Sequence, residues 1–251
     1  MLLRVGVLIL GSLYWEDGDD NHRKAWRTER LKMDAACPVH LPIRYGRESG
    51  KRRNTHTIVL SKRCYRHQEL GVAYAAACSH PVNDAEDLLA EAEQLAGVEG
   101  LNDWTWSAVG LLPNPASSVP EEIMASWKRY ANPKLAQCDL FTCRPKSEPP
   151  IISREGILRL RWPVLVSNGS PVEIDLLLAT PTALRAPAPY PRPKLIGETF
   201  ARQDYATYFV SNVSNGIRTT QDGAIWKSAL RLKPEWAAQY QAVTDSLGAS
   251  A

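Results

Sequence analysis

No stretch of this 251-residue chain stays apolar for anything close to the roughly 20 residues that a bilayer-crossing helix needs, so a membrane span is excluded and no membrane partner is expected. The apolar start breaks off at Gly11 and runs into tryptophan and acids rather than a small-residue cleavage site, which argues against a signal peptide. Cysteine is scarce and odd in number; the five residues Cys37, Cys64, Cys78, Cys138 and Cys143 read as reduced thiols of a cytoplasmic protein, not as a disulfide framework. Gly-x-Ser-x-Gly is missing, which removes support for a serine hydrolase, and neither common glycine-rich phosphate loop occurs. The basic triplet Lys51-Arg52-Arg53 lacks the interleaved aromatics that stack single-stranded bases.

What is present is 44% hydrophobic residues, enough for a full core. The net charge of +3 hides an uneven distribution: thirteen Lys or Arg against three acids between Arg23 and Arg66, and six acids with no Lys or Arg between Asp84 and Glu99. A basic block of this kind meets a polyanion, aims arginines at a small anionic substrate, or forms a solvated face.

Along the chain, Val5 and Val7 to Leu10 form a short apolar run of the type buried on both faces of a strand, ending in Gly11-Ser12. Asn21 to Met33 has the composition of an amphipathic helix. Val39 to Tyr45, Thr55 to Leu60 and Leu70 to Cys78 read as strands, and Asp84 to Leu95 as a helix with Asn83 or Asp84 as its cap. Trp104 and Trp106 with Ser107 to Leu112 suggest a further strand, and Glu121 to Tyr130 a helix. Ser147-Glu148-Pro149-Pro150 marks a boundary, which divides the chain into a core of residues 1–147 and a C-terminal elaboration of residues 148–251 packed on it. In the latter, Leu158 to Val166, Pro171 to Ala179 and Tyr208 to Ser211 read as strands. Pro187, Pro189, Pro191 and Pro193 favour an extended link, Asn215-Gly216 reads as a hairpin turn, and Pro234 to Ser246 as a surface helix.

Three groups of residues carry candidate chemistry. Glycine lets the first strand turn sharply, which gathers the backbone N–H groups of Gly11, Ser12 and Leu13 at a strand mouth where they can hold an anion or a ligand carboxylate. Arg44 and Arg47 follow another strand, and their planar forks suit a carboxylate or phosphate. Cys37-x-x-His40 and Cys64-x-x-His67 offer a formal zinc set, but Pro38 and the strand around His40 oppose a closed knuckle, so no metal is expected. Asn212, Arg218 and Asp222 belong to an amide- and hydroxyl-rich segment that would lie over a pocket if the hairpin folds back.

The order of these parts resembles the γ-glutamylcyclotransferase-like superfamily over residues 4–112. The family's Tyr-Gly-Ser-hydrophobic motif stands here as Leu10-Gly11-Ser12-Leu13, and its Gly-Val/Glu-hydrophobic-Tyr/Trp strand as Gly71-Val72-Ala73-Tyr74. Its Leu-Asp-x-x-Glu-Gly helix stands as Leu89-Ala90-Glu91-Ala92-Glu93-Gln94. Leu10, Ala90 and Gln94 depart from the family's tyrosine, aspartate and glycine. The resemblance implies an α+β fold: a small, closed or nearly closed mixed β-barrel with flanking helices and a C-terminal α+β elaboration. It also implies release of an amine from a γ-glutamyl amide by intramolecular cyclisation to 5-oxoproline, with no cofactor. Glu93 falls on the catalytic glutamate, Glu91 is the alternative base, and the amides of Gly11, Ser12 and Leu13 would hold the substrate carboxylate. Outside enzymology, the same chain could be a non-catalytic barrel that binds nucleic acid, a nucleotide or an acidic protein through residues 23–66.

Overall fold

The computed structural model describes residues 2–101, 104, 107–137, 150–181 and 190–248. In chain order its first half contains β1 (Val5–Ile9), α1 (His22–Arg30), β2 (Cys37–Leu41), β3 (Ile43–Ser49), β4 (Thr55–Leu60), α2 (Arg63–Arg66), β5 (Gly71–Ala77), α3 (Ala85–Val98), β6 (Gly110–Pro113) and α4 (Glu121–Ala136). The second half contains β7 (Leu176–Ala179), α5 (Pro193–Arg202), α6 (Thr207–Ser214), α7 (Asp222–Leu230), α8 (Trp236–Gln239) and α9 (Gln241–Gly248). Trp106, Pro187, Pro189, Cys138, Cys143 and the expected boundary at Ser147 to Pro149 lie outside the described residues.

Five strands form one mixed sheet in the order β2-β5-β1-β7-β6. Every residue of β1 is buried, as its uninterrupted apolar run requires of a central strand. It pairs antiparallel with β5, Ile9 opposite Tyr74, and parallel with β7, Val7 opposite Leu178. The carboxyl ends of β1 and β7 therefore open on the same edge. Because β7 lies between β1 and β6, the segment after residue 148 supplies an inner strand of the sheet as well as the helices packed outside it.

Pro42 separates β2 from β3, and with no N–H to donate it marks the point where the chain leaves the sheet. Beyond it β3 pairs with β4 as a separate antiparallel hairpin, with a register shift between Tyr45 and Arg47 that re-aims the side chains around Gly46. No closed barrel is found among the described residues. Helices α5 to α7 cover the hairpin, where Tyr45 packs edge-on to Phe200 and Tyr208, and Phe209 stacks on Trp226 at 5.5 Å.

Three expectations for the second half are corrected. Tyr208 to Ser211 is not a strand but the body of α6, since Tyr208, Phe209, Asn212 and Val213 are buried at helical spacing and that burial outweighs the local preference of Tyr-Phe-Val for strands. Asn215-Gly216 is not a hairpin turn but the end of that helix. Gly216 adopts φ +76° while its N–H bonds to Val213 O and the Ile217 N–H to Asn212 O, a Schellman cap. Leu158 to Val166 makes only isolated bridges, with Pro163 in its middle to interrupt a ladder.

Candidate functional site

A cavity of about 1110 Å³ opens where β1 ends, walled by Gly11 to Leu13, Arg23, Arg47, Arg52, Glu99, Thr180, Tyr205 and Tyr208 among others. Gly11 is required there by a close approach: a Cβ on it would lie 2.6 Å from Tyr208 Oη. The chain then turns tightly, Tyr14 N–H donating to Gly11 O at 2.9 Å and Glu16 N–H to Ser12 O at 2.7 Å. The N–H groups of Gly11, Ser12 and Leu13 themselves find no acceptor among the described residues. Three successive unbonded amides on a cavity wall are the donor set of an anion nest.

The same cavity is lined by Glu99, the residue that closes α3. Its backbone is set by a Schellman cap in which Gly100 takes φ +68°, the Gly100 N–H bonds to Gly97 O and the Leu101 N–H to Ala96 O. The side chain is only 21% exposed. Thr180 Oγ1 donates to Oε1 at 3.1 Å and Arg23 Nη2 to Oε2 at 3.3 Å. Burial raises the Glu99 carboxyl above its ordinary value, Glu16 adds to the rise, and Arg23, Thr180 and Arg47 offset part of it. A helix C-terminus disfavours negative charge, so its dipole acts in the same upward direction. A half-buried carboxylate at the end of a helix that disfavours its charge, on a cavity wall, has the environment of a general base.

Arg23 joins the two sides of the cavity. Nη1 donates to Ser12 Oγ at 3.2 Å and to Glu16 Oε2 at 2.5 Å, and Nε to Val98 O at 3.2 Å. Glu16 Oε2 also accepts from Arg52 Nη2 at 2.9 Å, and the Arg52 guanidinium lies 4.5 Å from the centre of the Tyr208 ring.

The residues expected from sequence divide sharply. Gly11, Ser12, Leu13 and Arg47 line the cavity. Arg44 does not; its guanidinium sits 4.5 Å from the centre of the Tyr190 ring. Glu93 is also off the cavity wall, 51% exposed and paired with Lys134 at 2.6 Å. Partial burial pushes the Glu93 carboxyl up, but the hydrogen bond and charge of Lys134 outweigh it and hold it below the ordinary value. Glu91 is only 4% exposed, yet it faces Arg30 at 2.7 Å and likewise misses the cavity. Of the three, Glu99 is the one that lines the cavity with Gly11 to Leu13. Asn212, Arg218 and Asp222 do not line the cavity either. Asn212 accepts from Trp15 Nε1 at 2.8 Å, Arg218 reaches Ser246, and Asp222 is buried against Thr219. The part of this segment that does reach the cavity is Tyr208. Among the described residues no three His, Cys, Asp or Glu side chains are grouped to hold a metal; Cys64 is buried with its thiol toward Ile43 O.

A signal for Glu99 was present in the sequence. Leu95-Ala96-Gly97-Val98-Glu99-Gly100 fits Leu-Asp-x-x-Glu-Gly at Leu, Glu and Gly, one repeat of six beyond the stretch ending in Gln94, and Gly100 is the residue a helix stop demands. Compared with protein-family models, curated proteins and solved structures, the chain matches none.

Proposed function

We propose that the protein is a γ-glutamylcyclotransferase-like enzyme that releases an amine from a γ-glutamyl or related amide, with Glu99 as the base. The substrate α-carboxylate sits on the amides of Gly11, Ser12 and Leu13. Glu99 takes a proton from the α-ammonium; the freed nitrogen bonds to the γ-carbonyl carbon, the γ-amide C–N bond breaks, and the proton leaves on the departing amine. Products are 5-oxoproline and a free amine, and these bond changes balance without a cofactor. The observation that carries this reading is the shared cavity lining: three unbonded amides and a half-buried carboxylate of raised pKa.

The family's nearly closed barrel belongs to the same proposal, supported by β2 running through Pro42 into the β3–β4 hairpin beside the main sheet. So does a cytoplasmic setting, supported by the free thiols of Cys37 and Cys78. A polyanion-binding surface on residues 23–66 has weaker support, because Arg23, Arg27, Arg30 and Arg52 are turned inward onto Glu16, Asp17, Glu91 and Glu99.

The test is mass spectrometry of the purified protein with a panel of γ-glutamyl amides and peptides, beside Glu99→Gln and Glu93→Gln. The expected result is 5-oxoproline from the parent and from Glu93→Gln, and none above background from Glu99→Gln. A folded parent that forms none across the panel removes the assignment.

A further inference from the structure

We infer that Arg23 is the positioning residue of this site, a single guanidinium that sets the distance between the Glu99 carboxylate and the amide nest behind β1. The inference rests on the cyclotransferase reading of the cavity and adds a residue that neither composition nor motif singled out. The base and the nest belong to different elements: Glu99 hangs on the end of α3, whereas Gly11 to Leu13 follow β1. An intramolecular attack succeeds only if the α-carboxylate is held while the base reaches the α-nitrogen of the same small molecule, so the separation of the two must be held to a fraction of an ångström.

Arg23 has the contacts of a brace. Through Nη1 it holds Ser12 Oγ and Glu16 on the β1 side, and through Nε and Nη2 it holds Val98 O and Glu99 on the α3 side. All three guanidinium nitrogens are engaged, and the side chain is 15% exposed. Glu16 in turn is gripped by Arg52, whose guanidinium is seated on Tyr208, so the outer end of the brace is itself anchored. The contact with Val98 O is the most specific, because it fixes the backbone immediately before Glu99 and not merely the carboxylate. A lysine carries the same charge on one nitrogen and cannot span four acceptors on two elements. The groups that face Glu99 are Arg23 from α1, Arg47 from β3, Glu16 from the turn after β1, and Thr180 beyond β7. Arg23 bonds to both sides of the site, to Ser12 on one and Glu99 on the other.

The experiment compares the full-length parent with Arg23→Lys and Arg23→Gln in two readouts. One is the pH dependence of kcat and KM on the γ-glutamyl amides that the parent turns over. The other is the titration of the Glu99 carboxyl carbon by NMR, assigned with Glu99→Gln, which needs no turnover. Arg23→Lys is expected to keep the Glu99 midpoint and to lose about 10- to 100-fold in kcat with a smaller change in KM. Arg23→Gln is expected to raise the midpoint and move the acidic limb of the rate profile with it. Glu16→Gln, which loosens the brace from its far side and removes a charge that raises Glu99, keeps the test open if an Arg23 variant misfolds; a few-fold loss of kcat with a lowered Glu99 midpoint is expected. Full kcat in Arg23→Lys overturns the bracing role, and an unmoved midpoint in Arg23→Gln overturns the contact itself. A parent that makes no 5-oxoproline overturns the reaction assignment instead, and the titration then decides Arg23 alone.

Discussion

Replacing Glu99 by glutamine should abolish turnover while leaving the protein about as stable as before, and the two halves of that expectation have separate physical origins. The catalytic half follows from removing a general base from a reaction that has one, which costs about 10²- to 10⁴-fold in kcat, or roughly 3–5 kcal/mol of barrier. The stability half follows from the direction of the pKa. Glu99 is raised above its ordinary value of 4.5, so burial and the end of α3 disfavour its ionised form in the folded state. A folded-state pKa above the unfolded one contributes stability that is complete below 4.5 and is lost as pH rises through the raised value. Glutamine cannot ionise, keeps the shape, and retains an acceptor for Thr180 or Arg23; it relieves about 0.3–1 kcal/mol of unfavourable charge at a helix C-terminus. Against this stands the Arg23 ion pair at 3.3 Å, which weakens, although Arg23 keeps Glu16. The net change should stay within about 1 kcal/mol, a shift of roughly 2–4 °C in Tm for a chain of this size. Thermal melts of both proteins at pH 5 and pH 7.5 should show the variant gaining on the parent at the higher pH. Turnover within threefold of the parent would refute the assignment of the base. A melting loss that grows with pH would make Glu99 a structural ion-pair partner and not a strained catalytic acid.

Other outcomes follow from the same geometry. Glu93→Gln removes an exposed pair with Lys134 and should cost under about 1 kcal/mol in chemical denaturation and leave turnover unchanged; an inactive variant would return the base to Glu93. Gly11→Ala drives a Cβ to 2.6 Å from Tyr208 Oη and should cost about 1–3 kcal/mol, whereas the double variant with Tyr208→Phe leaves 3.6 Å to the nearest ring carbon and should recover most of it. Equal loss in single and double variants would show that the hydroxyl is not what excludes a side chain at Gly11. Burial pushes Asp222 up to about 6 against its hydrogen bonds from Thr219, so its share of stability is complete below about 4 and disappears as pH rises through 6. Asp222→Asn should flatten the fall in unfolding free energy between those values by up to roughly 3 kcal/mol, and parallel profiles for the two proteins would contradict it. Binding of a duplex oligonucleotide should be weak at physiological salt, given the inward-turned arginines; tight binding with a steep salt slope would favour the polyanion reading.

Much of the framework was legible from local chemistry. The apolar run of β1, the Asp84 cap that accepts from the Asp87 N–H, and the β-branched Thr55-to-Leu60 run each specify their element through neighbours a few residues away. The turn at Gly11-Ser12 was legible for the same reason, since a glycine at a strand end has few other uses, although its partner, the Tyr208 hydroxyl, comes from almost two hundred residues further on. The base was harder. Glu91, Glu93 and Glu99 lie within eight residues on or beside one helix, and nothing in their types distinguishes them. Their surroundings do: Lys134 of α4 takes Glu93, Arg30 of α1 takes Glu91, and only the end of α3 reaches the mouth of β1. Likewise the basic block between residues 23 and 66 divides on folding: Arg23, Arg27, Arg30 and Arg52 turn onto Glu16, Asp17, Glu91 and Glu99, while Lys24, Lys32, Lys51, Arg53, Arg63 and Arg66 stay exposed. The sequence by itself determined most α and β elements of the first half and the sharp turn at Gly11-Ser12, all products of short-range backbone and capping preferences. Which carboxylate faces that turn, which arginines are spent on holding it, and that β7 completes the sheet from the far half of the chain were decided by tertiary packing, because each depends on groups whose separation in sequence carries no information about their distance in space.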